Sequence, residues 1–452
     1  MKKICGTILL SILGFAVVPC QGEVAYPTVG AAPAAGGDDP VQHCLDLLQL
    51  NLARKIAPAV PVTSHPVEIA PKDLPIQCVA GNLEEIKSAL KNQIANCERK
   101  SAEERAQTFQ FGCQLVKNED YCLNANAEML KIASLPNMDY ATLVNRAARE
   151  FDWYKSRQGN DEKSETGATR FTGYYSPTAV DASADPSEVY RYPIFAAPEG
   201  LTYFENPKQD LGLGCGVDEV TRLPIHWCIN NKDGAFSTLP TREQMVHGVL
   251  DKKIQKIAYF RSLYDVSNFM LEGAGSVNLR KKDGSIENMV FNVAGTNGRR
   301  NNMIGDVLKC ENKQIKGSLA GYYDRRPDEA YRDTVHYNPS TVFYRPGVSY
   351  EGVDHIPVTP NASIATDPTS IPTGTVTLLN LPATSACKTA SSLAVAQDIG
   401  GRIKGLHIDV YTGAGPAAGT KASSFNHSGF VFMAVPKGSG TPVAHCVPKN
   451  AN

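Results

Sequence analysis

The 452-residue sequence predicts a mainly β protein with an α-helical N-terminal part. Three observations predict it. Apolar residues recur at helical spacing between residues 82 and 157. The composition changes at Gly159, after which Gly and Pro interrupt short alternating runs. Five such runs follow Pro339 and form a β-barrel-like pattern in the last third of the chain.

The chain opens MKKICGTILLSILGFAVVPCQG. Two lysines precede an uncharged, mostly apolar run from Ile4 to Val18, too short for a comfortable membrane span. Residues 1–22 therefore read as a signal segment, and an exported protein of the periplasm or cell envelope is expected. Cleavage after Gly22 releases a soluble chain. Lipidation at Cys20 anchors it to the outer membrane, although Pro19 sits where a small flexible residue is expected. Both endings stay open.

Glu23 to Pro40, rich in Gly, Ala and Pro, reads as a linker. A short helix is expected over Leu45–Ile56, and five prolines from Pro58 to Pro75 make the next stretch irregular. Asn82–Lys100 places Ile86, Leu90 and Ile94 on one helical stripe. Ser101 with Glu104 is a capping-box pattern. Asn137–Arg157 reads as an amphipathic helix with Leu143, Ala147, Phe151 and Tyr154 on one face. TRFTGYYSP (169–177) and VYRYPIFAAP (189–198) look like β-structure broken by Gly and Pro. Thr241–Lys253 is expected to be helical. Arg261–Asn292 reads as short alternating runs around two turns, with KKDGS at 281–285 as a hairpin signal. A helix is expected over Met303–Lys309. The final strands are expected at Thr341–Tyr344, Thr375–Leu379, Leu393–Gln397, His407–Tyr411 and Gly429–Val435.

The chain has 12 cysteines and a formal net charge of -1. Without Cys5 and Cys20 ten remain, and in an exported protein they are expected to form disulfides. Cys215 with Cys228 suits a stapled β-loop, and Cys113 with Cys122 a short helical link. The mixed, balanced charge is not built to grip nucleic acid. No cofactor signature is present. LGLGCG (211–216) lacks the setting of a dinucleotide site, and GGRIKG (400–405) lacks the Gly-Lys-Ser/Thr end of a phosphate loop. A metal at His407 and Asp409 would need a third ligand that the sequence does not place.

The chemistry concentrates in AVAQDIGGRIKGLHIDVYTG, residues 394–413. In a strand at 407–411, Ile408 and Val410 enter the core and Asp409 points away, between His407 and Tyr411. On the preceding strand Leu393, Val395 and Gln397 share one face, and Ala394, Ala396 and Asp398 the other. The turn 399–405, with Gly400, Gly401 and Gly405, is expected to bring Asp398 and Asp409 to one edge. Arg402 and Lys404 on that turn are placed to bind a carboxylate or another negative group of a glycan. A carboxyl group kept protonated by burial or by a second carboxylate can serve as a general acid on a glycosidic oxygen. A glycine turn with two solvated aspartates is the competing reading. Tyr174 and Tyr175 beside the 176–177 turn suit stacking on sugar faces, or simple core packing. Asn297 and Asn426 suit turn capping.

Taken together, several stretches resemble the MltA family of membrane-bound lytic murein transglycosylases: FTGYYSP (171–177), YRYPIF (190–195), LPTREQM (239–245), NFMLEGAGSV (268–277), VAGTNG (293–298), NPSTVFYR (338–345), VAQDIGGRIKG (395–405) and HIDVYTGAGPAAG (407–419). The resemblance implies a double-psi β-barrel domain with an inserted second β-rich domain. It implies the domain division 1–22 signal segment, 23–135 linker and cysteine-bearing helical region, 136–190 with 315–440 barrel, and 191–314 insert. It implies cleavage of the β-1,4 bond between N-acetylmuramic acid and N-acetylglucosamine in peptidoglycan glycan strands, with 1,6-anhydromuramic ends and without water. Asp409 matches the catalytic acid/base and Asp398 the supporting aspartate. Thr172, Gly173, Tyr174, Tyr175, Lys404, His407 and Tyr411 fall in the substrate-binding motifs. Departures are Glu272 and Ala274 for the family's Gln and Ser, Val293 and Thr296 in VAGTNG, and Asn301-Asn302-Met303 where Tyr-Arg-Ser is usual. The departures at Glu272, Ala274 and Thr296 favour a peptidoglycan-binding protein without turnover as the alternative, which the intact Asp398 and Asp409 oppose; a hydrolytic glycosidase on the same barrel is a second. Further outer-membrane or cell-wall partners are left open.

Overall fold

The computed structural model describes residues 39–56, 66–156, 168–204, 215–382 and 389–444, apart from short gaps at 77, 219, 222, 232–234, 250–251 and 316–318. The signal segment, Cys20 and most of the 23–40 linker lie outside the described residues. Within them no helix is long and apolar enough to cross a membrane. The chain divides into two compact units, 60–176 with 349–452 and 1–59 with 177–348, so the second is inserted into the first.

The first unit is built on a closed six-stranded sheet. Its strands run in the order Asn426–Pro436, Val376–Pro382, Thr389–Ile399, Ser363–Thr366, His407–Ala414, Thr169–Ser176, and the last pairs back to Asn426–Pro436. The pairing is mixed: Ser363–Thr366 runs parallel to Thr389–Ile399, and His407–Ala414 parallel to Thr169–Ser176, while the other joins are antiparallel. This mixture of parallel and antiparallel joins belongs to the double-psi barrel. Side-chain alternation along Thr389–Ile399 separates two cores. Ala394 and Ala396 pack with Ile364, Ile408, Val410, Val431 and Met433. Leu393 and Val395 pack with the helices, against Ile86, Leu90, Leu143 and Ala147.

Those helices form where local signals placed them. Asn82 caps Leu83–Arg99 by accepting from the Glu84 and Glu85 amides, and Ser101 and Glu104 close a capping box. The helix expected to reach Arg157 stops at Glu150, and Phe151–Lys155 is a strand. Its aromatic run has strong β preference, and it pairs with both Val67–Ile69 and Asn426–Pro436, which buries Phe151 and Trp153. The expected Cys113–Cys122 link does not form. Cys122 bonds Cys97, on the last turn of Leu83–Arg99, across 25 residues; Cys113 has a different disulfide partner.

The inserted unit carries a second closed barrel, in the order Lys256–Phe260, Val180–Ser183, Gly275–Arg280, Ile286–Thr296, Val342–Gly347, Tyr192–Ala196. Phe260, Phe269, Val277, Phe291 and Tyr344 fill its core. The units part at 177 and 348 rather than at 191 and 314, because Val180–Ser183 and Val342–Gly347 are strands of this barrel. The 23–135 region is likewise divided. Helix Pro40–Ile56 sits on helix Ile304–Cys310, joined by the Cys44–Cys310 disulfide, whereas residues 66–135 belong to the first unit. The Cys215–Cys228 bond is present as expected, as is the hairpin at 281–285.

Two further helices differ from the sequence reading. Leu263–Glu272 is a helix rather than an alternating run, capped by Ser262 and stopped at Gly273 with φ 77°. The helix after Thr241 ends at Val246, and Gly248 turns the chain with φ 92°.

Candidate active site

The Thr169–Ser176 and His407–Ala414 strands lie side by side in register, with His407 opposite Arg170, Asp409 opposite Thr172 and Tyr411 opposite Tyr174. The period of two puts all six on one face, and Ile408, Val410 and Phe171 on the buried face. Asp398 arrives by a different route. The sequence reading joins its strand to that of Asp409 through a turn, as neighbours. In the structure Ser363–Thr366 lies between them, and Ala365 is opposite both Asp398 and Asp409. Two strand spacings set the two Cα atoms roughly 10 Å apart. The register shifts by one residue between Ala396 and Asp398. This bulge lets Gln397 reach the Ala89 carbonyl and the Ser363 hydroxyl while Asp398 stays on the Asp409 side.

Asp409 Oδ1 accepts the Thr172 hydroxyl at 2.8 Å, and the same hydroxyl oxygen is 2.9 Å from His407 Nε2. Burial pushes the Asp409 carboxyl up to about 7; the Asp398 charge adds to the rise, and the Thr172 hydrogen bond and the Arg170 charge oppose it. Asp398 is raised to about 6, again by burial, against hydrogen bonds from the Ile399 amide, the Tyr174 hydroxyl and the Val353 backbone. Tyr174 Oη donates to Asp398 Oδ2 at 2.9 Å and the Ile399 amide to Oδ1 at 2.8 Å. Both oxygens of Asp398 are thus engaged, while Asp409 is held through Oδ1. Burial and the Arg170 charge lower the His407 pKa, which favours the neutral ring.

The residues singled out in the sequence separate into groups. Asp409, Asp398, Thr172, Tyr174 and His407 form one cluster. Tyr411 supports it from below: its ring lies 5.2 Å from that of Tyr174, its hydroxyl is 3.1 Å from Ser176 Oγ, and it is buried. Gly173 and Tyr175 point the other way, against helix Pro416–Ser424. A Cβ on Gly173 would come within 2.9 Å of Ala422 Cα, and Gly419 leaves room for the Tyr175 ring. Lys404 is exposed on the turn after Asp398. Asn297 is fully buried and ties Pro240 and Pro339 together through their carbonyls. Of the departures, Ala274 is buried and Thr296 Oγ1 caps the Gly298 amide. Among the described residues no group of three His, Cys, Asp or Glu is arranged to hold a metal.

Three participants escaped the sequence reading. Arg170 shares the face of Thr172 and Tyr174 by the period of two, a signal that was present. Gly352 and Val353 come from a distant loop over Asp398; a Cβ on Gly352 would come within 2.4 Å of the Gln397 carbonyl, and nothing local announces that contact.

A closed mixed barrel interrupted by a second barrel makes a two-domain β scaffold, and a half-buried pair of carboxyl groups with raised pKa lies on one face of it. The profile of the MltA specific insert domain matches residues 170–345, and that of the 3D domain residues 362–434. The chain belongs to the MltA family of membrane-bound lytic murein transglycosylases. It is 31% identical over 279 residues to membrane-bound lytic murein transglycosylase A of Escherichia coli K12, covering 59% of this chain and 66% of that protein, just under two-thirds of its length. Its identity to the Vibrio cholerae protein of the same name is 27% over 334 residues, covering 71% of this chain and 78% of that one. Among solved structures the fold is similar to a membrane-bound lytic murein transglycosylase from Agrobacterium tumefaciens, with TM-score 0.62, 19% identity, and 82% and 98% of the two chains covered. It is also similar to E. coli MltA with bound chitohexaose, with TM-score 0.55, 23% identity, and 83% and 95% covered.

Proposed function

We propose that this protein is a lytic transglycosylase of peptidoglycan, exported to the periplasm or cell envelope, that cleaves the β-1,4 bond between N-acetylmuramic acid and N-acetylglucosamine. The observation that carries the reading is the placement of Asp409, half-buried, bonded to Thr172 and one strand removed from Asp398; burial pushes its carboxyl up to about 7, which leaves a proton on it in much of the population at neutral pH. Family membership and the chitohexaose bound to the E. coli relative support a glycan substrate.

In the first step the Asp409 proton passes to the glycosidic oxygen, and the C1–O4 bond breaks. In the second, the ionised Asp409 takes the proton of the C6 hydroxyl as O6 bonds to C1. The products are a 1,6-anhydromuramic end and a free N-acetylglucosamine 4-hydroxyl, with the enzyme returned to its starting state. Thr172 follows the proton. A hydroxyl has one hydrogen, so it cannot donate to Asp409 and His407 together. It donates to Asp409 when that group is ionised and turns to His407 when Asp409 carries its own proton.

Hydrolysis would need a second carboxylate to direct water. Asp398, with both oxygens engaged by Tyr174 and Ile399, suits a positioning role instead. Digestion of purified sacculi in heavy-oxygen water tests the reading. Anhydromuropeptides without label support it. Label at C1 establishes hydrolysis, and intact sacculi with bound protein establish a binding protein without turnover. Anchoring through Cys20 is tested by mass spectrometry of the exported chain.

A further inference from the structure

The inserted unit holds a buried positive charge that the proposed chemistry leaves unused. Arg242 is 3% exposed and lines a cavity of about 90 Å³ together with Ser267, Asn268, Tyr323, Asn338 and Ser340. Its guanidinium donates from Nη1 to the Thr334 carbonyl at 3.1 Å. Burial lowers its pKa, and among the described residues the titratable groups that act on it are the tyrosines Tyr323, Tyr344 and Tyr331, with no carboxylate. A buried guanidinium needs an anion and several acceptors to offset its lost hydration. One carbonyl is a small part of that requirement.

The position is also held rigidly. Arg299 donates through Nε and Nη2 to the Leu239 carbonyl at 2.8 and 2.6 Å. Asn297 donates to the Pro240 and Pro339 carbonyls at 2.9 and 2.8 Å. The Arg242 amide itself donates to the Pro339 carbonyl at 3.0 Å. Stretches 239–245, 268–277 and 338–345 meet around one cavity, and Asn297 and Arg299 brace it. Such a setting presents a planar fork to a ligand without further ordering.

We infer that the cavity of the inserted unit binds a carboxylate of the murein strand through Arg242. Among the described residues Arg242 is the one charged group that lines the cavity, which matches a monoanion rather than a phosphate dianion. The inference rests on the proposed murein substrate for the source of that carboxylate. Two sources share the chemistry: the lactyl carboxylate of muramic acid where the stem is absent, and the terminal carboxylate of a peptide stem. The cavity accepts the carboxyl group and a short stretch of the chain that bears it, and neutral glycan has nothing to place there.

The test is titration calorimetry with three probes and three proteins. N-acetylmuramic acid and N-acetyl-D-alanyl-D-alanine each carry one carboxylate, and chitohexaose carries none. The proteins are the wild type, Arg242→Gln and Arg242→Lys. At least one carboxylated probe is expected to bind the wild type, and the one that binds identifies the source. Arg242→Gln is expected to weaken it about 10- to 100-fold, the scale of a lost charge-assisted hydrogen bond, with chitohexaose affinity unchanged. Arg242→Lys keeps the charge without the fork and is expected to lose about tenfold; it decides the matter if Arg242→Gln does not fold. Failure of both carboxylated probes, unchanged affinity in the variant that folds, or equal loss of chitohexaose binding overturns the inference. Sacculus digestion by the wild type stands apart as the control. If no anhydromuropeptide forms, the proposed function fails while the probe titrations still decide whether Arg242 binds a carboxylate.

Discussion

Thr172→Val isolates the contact that sets the acid. Valine keeps the shape and the strand preference of threonine and deletes the hydroxyl that reaches Asp409 Oδ1 at 2.8 Å. That hydrogen bond favours the ionised carboxyl and holds the Asp409 pKa below where burial alone would put it. A hydrogen bond to a charged group contributes about 1.5–3 kcal/mol, which at 1.36 kcal/mol per unit is about 1–2 pKa units. Asp409, now about 7, should then titrate at roughly 8–9 in the variant. The proposed first step needs the protonated acid, so wild-type turnover should fall as pH rises through 7, and the variant's alkaline limb should lie one to two units higher. The height of the profile should drop about tenfold, because the carboxyl loses the group that orients it and the second step must remove a proton with a less readily ionised base. The assay is kcat/KM for anhydromuropeptide release from sacculi between pH 5 and pH 10. An alkaline limb that stays in place or moves down refutes the reasoning, whatever the change in height.

Asp398→Asn should move the same limb the opposite way, because it removes the charge that raises Asp409; turnover should be reduced and still measurable. Asp409→Asn should fold, bind glycan and lose nearly all turnover; near-wild-type activity removes Asp409 from the acid role. The same variant should also change stability with a definite sign. Because the folded pKa of Asp409 is raised from 3.8 to about 7, the wild type loses stability as pH climbs between these values and stays penalised above them. At 1.36 kcal/mol per unit the penalty is at most about 4 kcal/mol, so melting of Asp409→Asn at pH 8.5 should exceed that of the wild type, and the difference should vanish near pH 3.5. Gly352→Ala forces a Cβ to within 2.4 Å of the Gln397 carbonyl; a lower melting temperature and at least a tenfold loss of kcat are expected, and wild-type values for both would show that the loop yields freely. Replacing Cys97 and Cys122 together by serine should cost about 3 kcal/mol of stability, the scale of a short closed loop, measured by chemical denaturation; no change would mean that this pair adds nothing to the fold.

Some of this molecule is local, and the local part was legible. The capping box at Ser101 and Glu104, the strand alternation that buries Ile408 and Val410 while exposing Asp409 to the site, and the Cys215–Cys228 staple each depend on residues within about a dozen positions of one another. Thr172 and Tyr174 entered through the family motif; the same alternation puts Arg170 on their face. Boundaries failed where a distant partner decided them. Phe151 to Lys155 continues a helical stripe in sequence and becomes a strand because Val67–Ile69 and Asn426–Pro436 offer it hydrogen bonds on both sides.

The sequence by itself determined the carboxyl groups, the faces they occupy and the family to which the motifs belong, because side-chain direction along a strand repeats every two residues whatever the rest of the chain does. The tertiary structure alone decided that Ser363–Thr366 separates Asp398 from Asp409, that Gly352 closes over Asp398, and that Arg242 is enclosed with no carboxylate of the described residues paired to it. Each of these joins segments that are not adjacent in the chain. Burial, which raises both aspartates and disfavours the Arg242 charge, is a property of those joins and has no address in any short run of residues.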